Sequence, residues 1–277
     1  MFHQSRKTAR ATMGAAIGLL ALLFLLAACG SISPKLLSNS LQGAQSVPNL
    51  LSPNDAGYIA TSPGTYTAAE VTFTVPTFQQ PAGGPKVAYA AVVAGHSGAV
   101  VDGGIYSYLD PTTGAQINKA YWEFYGPGSG LSVTEDLPLS GGTGGGVVSP
   151  GDQIDAYVSS NYQGSGDDYF LIQDLTTGES GSYTLSGNDY IVDGANASCL
   201  VLVPATDPQP PADFGTLNVQ QCQVSLSEGT GASTTSTISN YKPVPITMVN
   251  GGFGASPGPL GKGGDFSVTW NAQPQGN

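Results

Sequence analysis

Between Asn54 and Trp270 no window holds a sustained helical period with caps, and this narrows the folds open to the chain more than anything else in it. The 39 glycines and 20 prolines of the 277 residues interrupt it throughout, and short apolar or alternating runs stand between them. Ala69–Val75, Val87–Ala94, Ala99–Tyr108, Lys119–Tyr125, Gln153–Ser159, Tyr169–Asp174, Ala197–Val203, Gly215–Ser225, Pro245–Val249 and Asp265–Trp270 all read as strands. Ser149-Pro150-Gly151-Asp152, Thr176-Thr177-Gly178 and Ser186-Gly187-Asn188 read as turns. Many strands, short turns and a length sufficient for one core predict an all-β domain over residues 54–270, built as a β-sandwich.

The chemistry concentrates in Ala120-Tyr121-Trp122-Glu123-Phe124-Tyr125-Gly126-Pro127. Successive side chains of a strand point to opposite faces, so Tyr121, Glu123 and Tyr125 share one face while Trp122 and Phe124 share the other. A carboxylate between two tyrosines suits a wet groove; an amphipathic strand with one acid on its polar face is the plainer reading. In the run before it, Asp102 and Tyr106 share a face in the same way.

The ends carry an address. Arg6, Lys7 and Arg10 precede an apolar run from about Ala15 to Ala28, too short for a comfortable membrane span. Leu26-Ala27-Ala28-Cys29 resembles a bacterial lipobox, which implies that residues 1–28 are removed and Cys29 is lipidated. An ordinary secretory signal with an incidental cysteine is the alternative. Either reading places the mature chain outside the cytoplasm; the lipobox makes it a membrane-anchored bacterial lipoprotein that touches the membrane through its lipid only. Residues 29–53, rich in Ser, Pro, Asn and Gln, read as a flexible tether, and 271–277 as a disordered tail.

Loss of residues 1–28 leaves five basic against nineteen acidic residues, a net charge of −14. Such a surface repels phosphates, which excludes nucleic acid as a partner. Charged residues are only 10% of the chain, so few ion pairs are lost when carboxylates protonate, which suits an acidic habitat. With Cys29 taken by lipid, Cys199 and Cys222 remain as a pair in an oxidising compartment. They form either a disulfide, worth roughly 3 kcal/mol for such a loop, or two buried thiols.

The aromatic run resembles the W-Y-E-W-Y-P strand of the glutamic peptidases, the eqolisin family. Gly57-Tyr58, Phe73-Thr74-Val75-Pro76-Thr77, Ser149-Pro150-Gly151-Asp152-Gln153-Ile154, Asp174-Leu175-Thr176-Thr177-Gly178-Glu179 and Ala212-Asp213-Phe214-Gly215 are similar to further family segments, in the same order. The resemblance covers most of residues 54–270. It implies a concanavalin-like sandwich of two curved antiparallel sheets with a substrate groove on the concave face. It also implies a catalytic Glu acting as general acid/base on water, a Gln holding the developing oxyanion, and no cofactor. Here Asp102 falls at the Gln position and Leu202 at the Glu position, and leucine transfers no proton. The family's opening Trp is replaced around Asp55, and Tyr89–Gly95 lacks the acid of the corresponding segment.

Two function classes follow. In one, Asp102 and Glu123 form a substitute catalytic pair that shares a proton and activates water against peptide bonds at acid pH, with Tyr106, Tyr121 and Tyr125 binding substrate. In the other, the two acids are merely solvated and the groove is catalytically silent, binding peptide or glycan. The expected partner is a polypeptide or a glycan, and the expected state is a monomer.

Other chemistries are poorly supplied. His96 is the single histidine beyond residue 28, which disfavours both a two-His metal site and a Ser-His-Asp triad. Gly254-Ala255-Ser256-Pro257-Gly258 has the G-x-S-x-G spacing, but Pro257 offers no N–H to an oxyanion. Gly166-Asp167-Asp168 reads as a solvated turn rather than a Ca²⁺ loop. The glycine-rich segments 141–146 and 251–264 lack a phosphate-loop lysine and read as turns and linker. No metal is expected.

Overall fold

In a computed structural model, residues 50–79, 86–126, 131–161, 166–186, 192–203, 212–227, 233–250 and 253–272 are described. They form sixteen strands: β1 (Leu50–Ser52), β2 (Asp55–Ala60), β3 (Thr65–Thr74), β4 (Val87–Ala94), β5 (Val100–Leu109), β6 (Gln116–Gly126), β7 (Leu131–Asp136), β8 (Gln153–Ser159), β9 (Asp168–Asp174), β10 (Glu179–Leu185), β11 (Asn196–Leu202), β12 (Thr216–Ser227), β13 (Ser233–Thr237), β14 (Val244–Asn250), β15 (Phe253–Pro257) and β16 (Phe266–Ala272). The helical element among them is one 3-10 turn, Ile238–Asn240.

Hydrogen bonding runs in the order β10-β9-β8-β3-β12-β16-β15-β14-β2-β11-β4-β5-β6-β7, with β1 on β14 and β13 on β12. All the pairings are antiparallel except β1 with β14. The path folds back on itself through β14 and β15, so that β3, β8 and β9 lie against β4, β5 and β11. The all-β sandwich of antiparallel layers is therefore the fold.

Between the layers, Phe73, Val71, Ile154, Ala156, Phe170 and Ile172 meet Tyr89, Val93, Val101, Ile105, Phe124 and Val201. Each such aromatic or branched side chain contributes about 1.5–3 kcal/mol by leaving water. The alternate residues of one layer make a second cluster: Ile59, Ala90, Val92, Val100, Tyr106, Tyr121, Leu200, Val244 and Ile246. These point away from the other layer and are still buried, on the face that the resemblance predicts as the groove floor.

Cys199 of β11 and Cys222 of β12 form a disulfide, with Cα atoms 6.2 Å apart. It joins the groove layer to the one behind it.

Several boundaries differ from the sequence reading. Leu50–Ser52, inside the stretch expected as tether, pairs with Ile246–Met248, and Asn271 and Ala272 extend β16 past Trp270. β15 occupies part of the segment read as linker, and places Ser256 on a strand opposite Thr269 rather than on a sharp turn. Residues 1–49, with Cys29, and 273–277 lie outside the described residues.

Candidate active site

Glu123 is the Cα partner of Asp102 across β5 and β6, and Val92 of β4 is the partner on the other side. Directly opposed side chains on one face have Cβ atoms about 4.5–5.5 Å apart. Asp102 and Glu123 are therefore cross-strand neighbours. They are not two solvated acids, because Asp102 is buried while Glu123 is half-buried. Burial, and then the charge of Glu123, hold the Asp102 carboxyl well above the usual carboxylate range. The Tyr121 hydroxyl, donated to Asp102 Oδ1 at 2.7 Å, opposes this, and Asp55 adds a smaller upward push. Thr134 of β7 donates its hydroxyl to Glu123 Oε2 at 2.9 Å.

Close backbone approach makes this row possible. A Cβ on Gly104 would lie 1.9 Å from the carbonyl oxygen of Tyr89 on β4, so only glycine fits two residues from Asp102.

The tyrosines divide. Tyr121 is 3% exposed and its hydroxyl is spent on Asp102, so it positions an acid rather than stacking on a ligand. Tyr106 is 8% exposed and donates to Asp136 Oδ1 at 2.5 Å. Its ring lies 5.8 Å from that of Tyr121 and 6.2 Å from that of Tyr108. Lys86 sits over it, 4.0 Å from the centroid, a cation–π contact. Lys119 donates to Asp136 Oδ2 at 2.5 Å. Asp136 is held below its ordinary value: burial raises it, but the hydrogen bonds from Lys119 and Tyr106 outweigh that. Tyr125 alone of the three expected ligand-binding tyrosines is half-exposed on the groove face.

Leu202 packs against the groove cluster, as its place on β11 requires. Its Cα partners are Ala88 on β4 and Asp55 on β2. Asp55 is an acid that sequence reasoning passed over except as a departure from the resemblance. It is 1% exposed, and burial pushes its carboxyl to about 7 against the pull of the Ser52 hydroxyl. The sequence signal was the alternation of Asp55, Gly57 and Ile59 along β2.

The minor motifs resolve plainly. His96 is in an exposed loop beside Asp193, with Nδ1 3.4 Å from Oδ2. Ser256 accepts a hydrogen bond from Asn271 at 3.2 Å. Asp168, read as part of a solvated turn, is instead buried at the start of β9, and burial raises it to about 7.

The fold is a β-sandwich in which two carboxyl groups, Asp102 and Glu123, stand opposed on adjacent strands. The sequence profile of the peptidase A4 family matches residues 53–249, and the chain belongs to that family. Among solved structures it resembles scytalido-glutamic peptidase with a peptide-based transition-state analogue, at TM-score 0.58 and 16% identity over 79% of this chain and 98% of that one. An eqolisin, SCP-B, in complex with the tripeptide Ala-Ile-His gives 0.55 and 14% over 79% and 98%. Aspergilloglutamic peptidase from Aspergillus niger gives 0.51 and 19% over 68% and 99%. These likenesses bear on the fold. A comparison with curated proteins finds no match. Family and fold together support a peptidase-like function.

Proposed function

We propose that the protein is an exported, lipid-anchored endopeptidase that cuts polypeptides at acid pH, with Asp102 and Glu123 as its acid–base pair. The observation that carries this is their opposition across β5 and β6, with Asp102 buried and Glu123 half-buried. Two such carboxyl groups do not both ionise; one keeps a proton and the other holds the charge. In the proposed cycle, Glu123 takes a proton from water as the water oxygen bonds to the peptide carbonyl carbon. Protonated Asp102 donates a hydrogen bond to the carbonyl oxygen as it gains charge. The C–N bond then breaks, and the proton held by Glu123 passes to the leaving nitrogen. The chain supplies all of these parts without a cofactor.

Leu202 favours a second reading, a silent groove that binds peptide or glycan, because it puts an apolar side chain where the resemblance implies a general acid/base. Cleavage of a denatured protein across about pH 2–6 by the soluble form lacking residues 1–29 separates the two. Activity that disappears in both Asp102→Ala and Glu123→Ala supports the enzyme. Folded protein that cuts nothing at any pH leaves the binding groove.

A further inference from the structure

Basic side chains are scarce in this chain. Among the described residues there are four lysines and no arginine, and two of the four, Lys86 and Lys119, stand together on the face that carries Asp102 and Glu123. That face runs along β5 through Asp102, Gly104, Tyr106 and Tyr108, and along β6 through Lys119, Tyr121, Glu123 and Tyr125. Tyr106 is the Cα partner of Lys119 on one side and of Ala88 on the other, and Lys86 shares the parity of Ala88 just before β4.

The groups here pair off and leave one charge over. Asp136 of β7 accepts the Tyr106 hydroxyl on Oδ1 and the Lys119 ammonium on Oδ2, both at 2.5 Å. Lys86 instead rests on aromatic rings, 4.0 Å from the centroid of Tyr106 and 5.8 Å from that of Tyr108. It has no carboxylate within ion-pair distance among the described residues. Asp110, next on the parity of Tyr108, is turned into its own loop, where Oδ1 accepts the backbone N–H groups of Thr112 and Thr113 at 2.8 Å. Val87 and Ala88 of β4 bring no charge. Two ammonium groups against the one carboxylate of Asp136 leave a local excess of one positive charge, on a chain whose net charge is −11.

This cation is within reach of a ligand. Lys86 is exposed, and the side chains of Lys119 and Asp136 are 44% and 50% exposed. An ammonium group resting on a ring is covered on that side and keeps N–H donors for an acceptor on the other. Tyr106 is four residues from Asp102, and Lys119 four from Glu123, which sets the cluster roughly 14 Å from the acid pair along the strands. An extended peptide of similar rise places the fourth residue from the cut bond at about that distance.

We propose that Lys86 is a specificity-determining residue that pairs with a carboxylate of the substrate, an Asp or Glu side chain about four residues from the cut bond. This rests on the reading of the face as a peptide site with Asp102 and Glu123 as its acid–base pair. The pH dependence comes from the ligand: an ordinary glutamate side chain titrates at about 4.3, so the preference belongs to pH 5 and fades by pH 3. Asp136 is held below its ordinary value by Lys119 and Tyr106, which limits its own change over that interval.

The test is steady-state cleavage of an N-acetylated, C-amidated peptide taken from a site that the protein cuts in denatured albumin. One Glu, or one Gln in its place, is walked through the residues on each side of the cut bond. About four residues from that bond, the Glu peptide should exceed its Gln twin in kcat/KM by about three- to fivefold at pH 5, the worth of an exposed ion pair. The excess should vanish at pH 3. Lys86→Met should erase it at pH 5, and Lys86→Arg should keep it. A lysine that only packs on Tyr106 would change both rates together and leave their ratio in place. A ratio below about twofold at every position, one unchanged at pH 3, or one retained in Lys86→Met overturns the proposal. If the wild type cuts nothing, the enzyme reading falls separately. The proposal then stands on retention by immobilised protein, at pH 5, of a peptic digest of albumin beside the same digest with its carboxyl groups capped as amides. Stronger retention of the uncapped digest that is lost in Lys86→Met supports it. Retention that is equal, absent or unchanged in Lys86→Met overturns it.

Discussion

Tyr121 donates its hydroxyl hydrogen to Oδ1 of Asp102 at 2.7 Å, with both groups buried. With Oδ1 filled, the proton that Asp102 retains falls on Oδ2. Tyr121 thus fixes the orientation of the acid it touches.

Tyr121→Phe should lower kcat/KM about tenfold, the worth of one hydrogen bond to a buried acid. Because this bond pulls the Asp102 carboxyl down, its loss should also carry the alkaline limb of the pH–rate profile to higher pH. A profile unchanged in shape would show that the bond is only structural.

Stability should be greatest at acid pH. Burial raises Asp55 and Asp168 to about 7, and raises Asp102, Glu70 and Asp155 as well. Each of these binds its proton more tightly folded than unfolded. Its stabilising contribution is complete below the unfolded value, near 4, and is lost as pH rises through the folded value. Asp110 and Asp136 are lowered and work the other way below about pH 4, but neither carboxyl group is deeply buried, so their effect is small. The melting temperature followed by circular dichroism should fall by about 5 °C or more between pH 4 and pH 8. Asp55→Asn and Asp168→Asn should each flatten the slope. A melting temperature that climbs with pH would contradict the assignment.

How much of this was legible in the sequence depended on burial. β4 and β8 were readable to the residue, because each carries apolar residues at the positions its sheet buries. β13, reading Ser-Thr-Thr-Ser-Thr, and the largely exposed β10 gave no signal, since strands at sheet edges need no apolar face. The Asp102–Glu123 encounter was foreseeable from consecutive strands and alternation. The fate of the tyrosines was not. Alternation told that Tyr121 shares a face with Glu123, but not that Asp102 would claim its hydroxyl, nor that Asp136 on β7 would claim that of Tyr106. Asp55 stayed hidden because the alternation of Asp55, Gly57 and Ile59 marks its face but not that Ser52 and Leu202 enclose it.

The Cys199–Cys222 bond should contribute roughly 3 kcal/mol. The Cys199→Ala, Cys222→Ala double variant should therefore melt roughly 6–12 °C lower. Both cysteines are fully buried, so a thiol reductant should act only once denaturant opens the sandwich. Reduction of the native protein within minutes would contradict this burial.

Gly104→Ala should fail to pack, because its Cβ would meet the Tyr89 carbonyl oxygen at 1.9 Å and the Ala90 Cα at 3.0 Å. A loss of about 3 kcal/mol or more is expected by denaturant titration. A variant of wild-type stability would mean that β4 and β5 can separate.

Cys199 stands between Ser198 and Leu200, which face the groove, so three consecutive residues carry both the floor and the bolt to the layer behind it. A ligand that tries to bow β11 outward loads a covalent bond and, through it, β12. The floor is therefore stiff, and its width is set before anything binds. Whatever compliance the groove has must come from its rims, β7 on one side and the β14–β15 corner on the other, so that fitting a bulky ligand becomes a matter of hinging the edges.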